Sequence, residues 1–336
     1  MNKTSFYFLL CLLVMMVSSG CVETIIMDPH EENLPVAVTC VLEAGRSKQA
    51  LYLQYVKGKS QEEYIPVENA KVYIKESSLL GKTFEFYHTS GCIWEIQESP
   101  FTVIVPDMTY TLYVEIPGRE TITAETTIPS NRNIPQVVMY SRDRETETIL
   151  DRYDDVYFQM NCEEGTKTAP VWIYAFKGKH TDNESAESRY PFLVTDHPNA
   201  DPINITGEKF SSLVIEGGPG PDDFYLKSTW PVYKEMPQKM PNLPLYEGFV
   251  RIDHLDGSYF HLLAGPLKYR ESYQDHFDFF FVSEEYDNYL RTIFIKNHRL
   301  DNNMTNVFST ENIYSNVKGG VGIFGGVSRN PIQFLI

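Results

Sequence analysis

Positive charge is scarce in this sequence. Its 336 residues include 29 Lys and Arg against 45 Asp and Glu, which gives a formal net charge of −16. A nucleic-acid binder needs a positive surface to displace counterions, so this balance argues against a nucleic-acid partner, and equally against a polybasic membrane-surface module. The hydrophobic fraction of 42 % is too high for a disordered acidic tail, and the length suits about two domains with real cores.

Recognisable catalytic motifs are missing as well. The sequence contains no G-x-S-x-G, no H-E-x-x-H and no S-x-x-K in a credible setting. We therefore expect a protein that is not an enzyme and uses no cofactor. Two other functions stay open. One is a surface hydrolase acting on glycans or peptides, since any acidic β protein can offer paired carboxylates, and the other is a structural or adhesive surface protein.

Cysteine is rare, with five in the whole chain. After residue 21 only Cys40, Cys92 and Cys162 remain, and they form neither a C-x-x-C pair nor a zinc-like spacing. Buried free thiols are the prediction for these three residues. A Cys40–Cys92 disulfide stays open, because an exported protein meets an oxidising environment.

The sequence has one long hydrophobic run, near the start of the chain. Phe6–Val17 is a run of twelve apolar residues, short of the roughly 20 that a transmembrane helix needs but typical of a secretory signal. Small residues at 18–20 and then Cys21 follow, which resembles a bacterial lipobox, where cleavage precedes a lipid-modified cysteine. We predict a lipoprotein signal peptide at residues 1–20, lipidation of Cys21, and a tether at residues 21–33.

The lipobox match is loose, and its details point to a location. Ser18 stands where leucine is usual, so ordinary signal-peptidase cleavage after Gly20 is the alternative. Val22 stands where an aspartate would retain a lipoprotein in the inner membrane. We therefore expect a lipid anchor in the outer membrane, with the periplasmic and the exterior face both open. Each buried acyl CH₂ contributes about 0.8 kcal/mol, so a multiply acylated cysteine anchors a chain durably.

Short β-type segments fill residues 34–130. Runs rich in β-branched and aromatic residues alternate with turn signals, and they predict strands near 35–42, 50–56, 70–75, 83–88, 93–97, 110–116 and 121–127. About seven short strands in roughly a hundred residues are typical of an immunoglobulin-like or transthyretin-like sandwich. The sequence therefore predicts a mainly β fold that begins with such a sandwich.

A second β-rich region is predicted at residues 136–336. Two prolines make residues 128–135 a linker, because proline cannot continue a strand ladder. Beyond it we expect a larger, loop-rich β domain, with strands near 136–140, 156–162, 171–177, 248–255, 258–263 and 277–282. Its aromatic residues are expected mostly in the core, with sugar stacking or a protein interface as the alternative: Trp172, Tyr174, Trp230, Tyr233, Tyr246 and Tyr259.

Asp256-Gly257 predicts a hairpin between the strands at 248–255 and 258–263. That pairing would place His254 and His261 diagonally on one sheet face, about 7–8 Å apart. A third ligand would be needed to hold a metal, and the nearby candidates are Asp275, His276 and Asp278. An ordinary polar sheet face is the favoured interpretation, so we expect no metal.

One short helix is predicted late in the chain. Ser283 can cap its start, and Glu284 and Glu285 complement the helix dipole in the first turn. Apolar residues then recur at helical spacing up to about Asn297: Tyr286, Tyr289, Leu290 and Ile293. We expect this face to pack on the sheet.

Residues 312–326 read NIYSNVKGGVGIFGG, and they form the most distinctive segment of the chain. Three other features accompany it, namely the lipobox, a V-x-x-A-x-V element at Val67–Val72 and the late helix. Together they make the chain resemble a lipoprotein family catalogued as domain of unknown function 4249, and the resemblance covers essentially the whole mature chain. That family occurs in the Bacteroidota, often beside TonB-dependent outer-membrane receptors. The resemblance implies an accessory role for such a receptor in nutrient binding or uptake, and it supplies no catalytic or binding residues.

The same segment contains a G-x-G-x-x-G match at Gly320–Gly325. A dinucleotide site also needs a helix that opens within the motif and an acidic residue about 20 positions later. Pro331 follows too soon for such a helix. We expect these glycines to allow close backbone packing of a final β segment instead.

Overall fold

The structure of the protein is a computed structural model. It describes residues 34–56, 65–78, 81–130, 135–142, 152–160, 168–179, 187–189, 192–195, 197, 199–201, 213–217, 224–228, 238–239, 249–256, 259–267, 273–301 and 313–334.

The chain is mainly β, as the sequence predicts. All seven strands predicted for the first region are present, and the described residues add one short strand between the second and third of them. The strands are β1 Val36–Glu43, β2 Ala50–Tyr55, β3 Ile65–Pro66, β4 Lys71–Glu76, β5 Thr83–Ser90, β6 Ile93–Ile96, β7 Thr109–Glu115 and β8 Ile122–Thr127. Buried and more exposed residues alternate along β1, β4 and β7, as expected where one sheet face covers a core.

The second region contributes the remaining described strands and one helix. The elements are β9 Pro135–Arg142, β10 Arg152–Met160, β11 Val171–Lys179, β12 Glu187–Arg189, β13 Phe192–Thr195, β14 Leu213–Gly217, β15 Phe224–Ser228, β16 Gln238–Lys239, β17 Val250–Ile252, β18 Tyr259–Leu267, β19 Tyr273–Val282, helix α1 Glu284–Asp301 and β20 Val321–Phe334. Each of the six strands predicted for this region overlaps one of these. Among the described residues, no helix combines the length and the apolar character that a membrane-spanning helix needs.

Thirteen of the described strands form one sheet. Its order is β12-β11-β19-β20-β1-β2-β6-β5-β4-β7-β8, with β17 paired to β11 and β3 paired to β2. Two smaller sheets have the orders β13-β18-β10-β9 and β14-β15-β16. The immunoglobulin-like arrangement of the first region stays a prediction.

β20 carries this sheet from one predicted region into the other. Its first half runs parallel to β1, with Ala37 opposite Val321, and its second half runs antiparallel to β19, with Asp275 opposite Phe334. Val327 lies at the junction, opposite Glu43 on one side and Val282 on the other. The boundary between domains at 34–130 and 136–336 remains a prediction, while Pro35–Ile336 forms one compact unit.

The segment that leads into β20 covers the outer edge of β8. Thr123 and Lys318 exchange two backbone hydrogen bonds, at 3.1 and 2.8 Å. The Asn316 amide donates to the Glu125 carbonyl at 3.0 Å and to the Phe324 carbonyl at 2.8 Å, and it accepts from the Phe324 N–H at 3.0 Å. One side chain thus joins β8 to β20, which leaves the edge of β8 paired there.

Two described clusters of apolar side chains lie on the faces of the large sheet. The first fills the space between β1, β2 and β4–β8 and includes Val317 and Phe324 from the tail. The second joins β11, β17 and β19 to β18 of the neighbouring sheet, through Phe277, Phe279, Phe260 and similar residues. β19 is rich in phenylalanine because the sheet is covered on both of its faces there.

The hairpin predicted at Asp256-Gly257 is wrong. β17 pairs with β11, where Ile252 lies opposite Val171, whereas β18 pairs with β10 and β13. The chain therefore passes from one sheet to another between β17 and β18. Leu255 explains this, because its side chain is fully buried and its N–H donates to the Thr168 hydroxyl at 2.8 Å. That contact holds the chain beside the start of β11.

Helix α1 begins where the sequence predicts and continues past Asn297. The Ser283 hydroxyl accepts the Tyr286 N–H at 3.4 Å and the Gly326 N–H at 3.1 Å, so the cap also ties the helix to β20. A third apolar cluster lies under the helix, in which Tyr286, Leu290 and Phe294 pack against Trp172, Val282 and Val327. Packing of the helix face on the sheet is confirmed for Tyr286 and Leu290.

Candidate binding surface

The described surface has an opening where β5 and β6 separate. The two strands pair from Phe86 opposite Ile96 to Ser90 opposite Ile93, and β6 ends at Ile96. Beyond that pair the chain turns away through residues 97–102, which leaves a cavity of about 610 Å³ beside the first half of β5. We call this opening the β5–β6 fork. Its lining consists of Thr83, Phe84, Glu85, Tyr87, Ile96, Gln97, Glu98, Ser99 and Thr102.

Exposed aromatic rings lie at and near the fork. Tyr87 is 54 % exposed at its rim, Phe101 is 83 % exposed on the turn that forms its far wall, and Tyr52 is 49 % exposed on β2. Tyr52 lies opposite Ile93 on β6, and Tyr87 lies opposite Glu95 on the same strand. Exposed aromatic residues anchor interfaces at low cost in conformational entropy. This part of the sheet surface is therefore suited to binding.

Two other tyrosines, Tyr73 on β4 and Tyr113 on β7, have ring faces that are covered by neighbouring side chains. The rings of Tyr73 and Tyr113 stack with centroids 5.0 Å apart, and the Lys71 and Lys75 ammonium groups lie over them at 5.2 and 5.1 Å. The Tyr73 hydroxyl donates to Glu115 at 2.7 Å, and this hydrogen bond, with burial and the nearby charge, raises the pKa of Tyr73 to about 12. Neighbouring side chains thus cover the ring faces that a ligand would need.

A buried ion-pair cluster fixes helix α1 against β17 and β11. Arg251 is only 3 % exposed, and its guanidinium donates to both Asp287 oxygens at 2.7 and 2.6 Å and to Asp201 at 2.7 Å. Trp172 Nε1 donates to Asp287 at 2.8 Å. Burial alone would lower the pKa of Arg251, but the Asp287 carboxylate and its neighbours raise it above its ordinary value. The bidentate geometry suits a structural clamp.

The cysteines of the described chain are free thiols. Cys40 is buried in the first core cluster, and Cys92 is partly exposed at the turn between β5 and β6. Burial raises the pKa of both thiols, which keeps them protonated. Cys21, the predicted lipidation site, and Cys162 lie outside the described residues.

The structure does not bring the candidate metal ligands together. His254 follows β17, where its ring contacts Asn199 at 3.2 Å and Asp253 at 3.3 Å, whereas His261 lies on β18 in another sheet. Asp278 instead accepts two hydrogen bonds from Arg329, at 3.2 and 2.7 Å. Across the ranges that the structure describes, no group of three or more His, Cys, Asp or Glu side chains is placed to hold a metal ion.

Trp172 and Tyr174, two of the aromatic residues singled out in the second region, have a structural role. Trp172 is 2 % exposed beneath α1, and Tyr174 stacks on Phe280 with ring centroids 4.9 Å apart. Tyr259 lies on β18, and three others lie outside the described residues, namely Trp230, Tyr233 and Tyr246.

The glycines of the tail allow close packing, as predicted. Gly322 has φ +118°, and a Cβ there would lie 1.9 Å from the Val38 carbonyl oxygen. Gly320–Gly325 enters β20 rather than a helix, so the G-x-G-x-x-G match lacks the helix of a dinucleotide site.

Sequence reasoning missed the β5–β6 fork. Its signal is Ser99-Pro100, which lies shortly after the alternating residues of β6. Proline cannot donate to a strand ladder, so this pair could have indicated where β6 stops and a groove begins.

The fold and these features define a mainly β protein with one large mixed sheet, a helix clamped onto it and an open fork between two strands. The chain belongs to the family described as Domain of unknown function (DUF4249), which matches residues 26–331. This confirms the resemblance carried by the tail segment.

Solved structures offer only distant likenesses. One is the BSP domain of a biofilm-associated protein, at 8 % identity and a TM-score of 0.18, with 91 % of this chain and 62 % of that chain covered. Another is described as manganese lipoxygenase of Gaeumannomyces graminis with a partial structure of zonadhesin of Komagataella pastoris, at 7 % identity and a TM-score of 0.17, with 89 % and 96 % covered. Likenesses at these scores carry no argument. No curated protein sequence matches the chain.

Proposed function

We propose that this protein is a non-enzymatic outer-membrane lipoprotein, anchored through Cys21, that assists a TonB-dependent receptor in binding or importing a nutrient. The lipobox-like leader and the family resemblance support the anchor and the partner class. Exposed aromatic residues around the β5–β6 fork support a binding role, since such residues are typical of interface anchors.

The distance between the fork and the start of the described body carries this proposal. The tether predicted at residues 21–33 joins the body just before β1, which starts at Val36. The other end of β1 leads to Gly45, whose N–H donates to the Ile104 carbonyl at 2.8 Å, on the segment that carries Phe101. The eight residues of β1 span about 26 Å, at about 3.3 Å per residue. The segment that carries Phe101 therefore lies about one strand length from the start of β1, where the described body begins.

The anchor is tested by Cys21→Ala in cells fed an alkyne-labelled fatty acid. We expect the wild-type protein to take up the label and sediment with outer membranes, and the variant to lose both properties. Cys92→Ser is the matched control, because Cys92 is a free thiol within the folded body and its replacement removes no lipid site. Equal labelling of the wild type and Cys21→Ala would contradict the anchor.

The partnership is tested by purifying the tagged, anchored protein from outer membranes in mild detergent. We expect a TonB-dependent receptor to be recovered in a fixed ratio to it. Recovery of the lipoprotein alone, in repeated extractions in which the anchor is intact, would contradict the partnership and leave the anchor standing.

A further inference from the structure

Among the strands that the structure describes, the first half of β5 has a partner on one side only. β4 pairs with β5 from Lys75 opposite Thr83 to Val72 opposite Phe86, whereas β6 pairs with β5 only from Phe86 onward. Thr83–Glu85 is therefore an open sheet edge that lines the fork. Open edges are templates for pairing with another chain, and proteins usually cover or shorten them.

The register shows which backbone groups of β5 face this opening. The Glu76 N–H donates to the Lys82 carbonyl at 2.9 Å, which makes these two residues a hydrogen-bonded pair between β4 and β5. Bonded and non-bonded pairs alternate along an antiparallel ladder, so Phe84 bonds to β4 while Thr83 and Glu85 direct their N–H and C=O groups to the other side.

Neighbouring ladders give the same result. The Ser77 N–H donates to the Thr109 carbonyl at 2.9 Å, so odd-numbered residues of β4 bond to β7 and even-numbered ones to β5. The Ile96 N–H donates to the Gln49 carbonyl at 3.0 Å, so even-numbered residues of β6 bond to β2. Glu85 would thus have bonded to residue 97, but β6 ends at Ile96. Thr83 and Glu85 offer two N–H and two C=O groups to the cavity.

The far wall of the fork is a fixed turn. The Thr102 hydroxyl donates to the Ser99 carbonyl at 2.9 Å, and the Thr102 N–H donates to the same carbonyl at 3.0 Å. The Phe101 N–H donates to the Ser99 hydroxyl at 3.2 Å. The opening therefore lies between β5 and a hydrogen-bonded turn, and a strand added to β5 would lie about 4.8 Å from it.

The residues that line the fork indicate which kind of ligand it would bind. Glu85 and Glu98 are exposed carboxylates, and no Lys or Arg is among the described residues that line the cavity. Phe84 and Ile96 form its apolar floor, 5 % and 2 % exposed. An added strand places alternate side chains on opposite faces. One set would meet the two carboxylates and the other set would meet the apolar floor.

We propose that the β5–β6 fork binds an extended segment of a protein partner, with alternating basic and apolar residues, as an added strand along Thr83–Glu85. Main-chain hydrogen bonds hold such a strand and side-chain pockets give it specificity. The inference rests on the proposed function in one respect, namely that the anchored body acts by holding a protein partner.

A hexapeptide of alternating lysine and valine, labelled with a fluorophore, is the probe. We expect saturable binding to the folded protein, with shifts of the Thr83 and Glu85 amide signals in NMR spectra. A hexapeptide of alternating glutamate and valine should not bind. A Glu85→Lys, Glu98→Lys double variant should bind the basic peptide at least about tenfold more weakly, since like charges then face each other.

The matched control is a Glu120→Lys, Glu125→Lys double variant, which has the same net charge but changes carboxylates outside the fork. We expect it to bind the basic peptide like the wild type. Equal weakening in both double variants would mean that net charge alone drives binding, and it would overturn the proposal.

Glu85→Pro tests the backbone contact separately. Proline removes an N–H that faces the cavity and leaves the ladder to β4 intact, so we expect a retained melting temperature and lost peptide binding. Unchanged binding in a folded Glu85→Pro protein would overturn strand addition. Light scattering that shows dimers broken by Glu85→Pro would also overturn the proposal, because the edge would then pair two copies of this chain.

Receptor recovery separates this inference from the proposed function. If the Glu85→Lys, Glu98→Lys variant is still anchored and recovers the receptor as well as the wild type does, the fork is not the docking site while the partnership stands. If the peptide binds at the fork but no receptor is recovered with the wild type, the partnership fails while the site stands.

Discussion

The two halves of β20 are held in place by different means. The half that runs parallel to β1 contains three glycines, Gly322, Gly325 and Gly326, and Gly320 directly precedes it. A Cβ on Gly322 or Gly320 would lie 1.9 or 2.8 Å from a β1 carbonyl oxygen. The half that runs antiparallel to β19 carries larger side chains, and it is held by the ion pair between Arg329 and Asp278. Backbone proximity secures one half, and side-chain contacts secure the other.

This difference matters because contacts between backbones tolerate less change than contacts between side chains. A side chain can rotate or reach solvent when its partner changes. A side chain added between two closely packed strands has no such freedom, so it pushes the strands apart and disrupts their backbone hydrogen bonds. We therefore expect substitutions in the parallel half to cost more stability than substitutions in the antiparallel half.

Gly322→Ala should have the largest effect. The added methyl group would overlap the Val38 carbonyl oxygen, and φ +118° is unfavourable for any residue with a Cβ. We expect a loss of more than about 4 kcal/mol in the free energy of unfolding, measured with urea, or failure to fold.

Gly45→Ala is the control for backbone conformation. Gly45 also has a positive φ, +77°, but no atom lies within 4 Å of an added Cβ. We expect a loss of only about 1–2 kcal/mol, the ordinary cost of a left-handed conformation. Equal losses for the two alanine variants would show that close approach to β1 is not what requires Gly322.

Asn316→Ala should have the next largest effect. The substitution removes three hydrogen bonds to the backbone, two of them to Phe324 in the buried parallel half of β20. We expect a loss of about 2–3 kcal/mol in urea unfolding, because the Phe324 N–H and C=O lose a partner away from water. Equal stability of the wild type and Asn316→Ala would show that this side chain does not join β8 to β20.

Asp278→Asn should have the smallest of the three effects. Asp278 is fully buried, but the Arg329 side chain is 33 % exposed and can turn toward water when the charge of its partner is removed. We expect a loss of about 1–2 kcal/mol in the same urea measurement. A loss larger than that of Asn316→Ala would reverse the proposed order of the two halves.

Local patterns in the sequence predict most strands but not the connections between distant ones. Alternation identifies β4 from KVYIKE, and the cap at Ser283 identifies the start of α1. The pairing of Ala37 with Val321 leaves no local signal, because the two residues are almost 300 positions apart. Asp256-Gly257 shows the opposite failure, where a strong local turn signal is overridden by the burial of Leu255 beside Thr168.

The candidate site was harder to predict than the fold. The edge at Thr83–Glu85 exists because β6 is shorter than β5, and strand ends are the least certain feature of any assignment from sequence. Aromatic content drew attention to the second region, yet Trp172 is buried under a helix while Tyr87 and Phe101, in the first region, are exposed. Composition counts aromatic residues, but only the register of strands shows which of them reach solvent.

The central position of β20 has a consequence for how the protein folds. β1 is the first and β20 the last of the described strands to be synthesised, yet they are neighbours in the sheet. Until β20 arrives, β1 and β19 each present an unpaired edge, which is the condition under which chains aggregate. Folding of the described body therefore completes only after synthesis has passed residue 334.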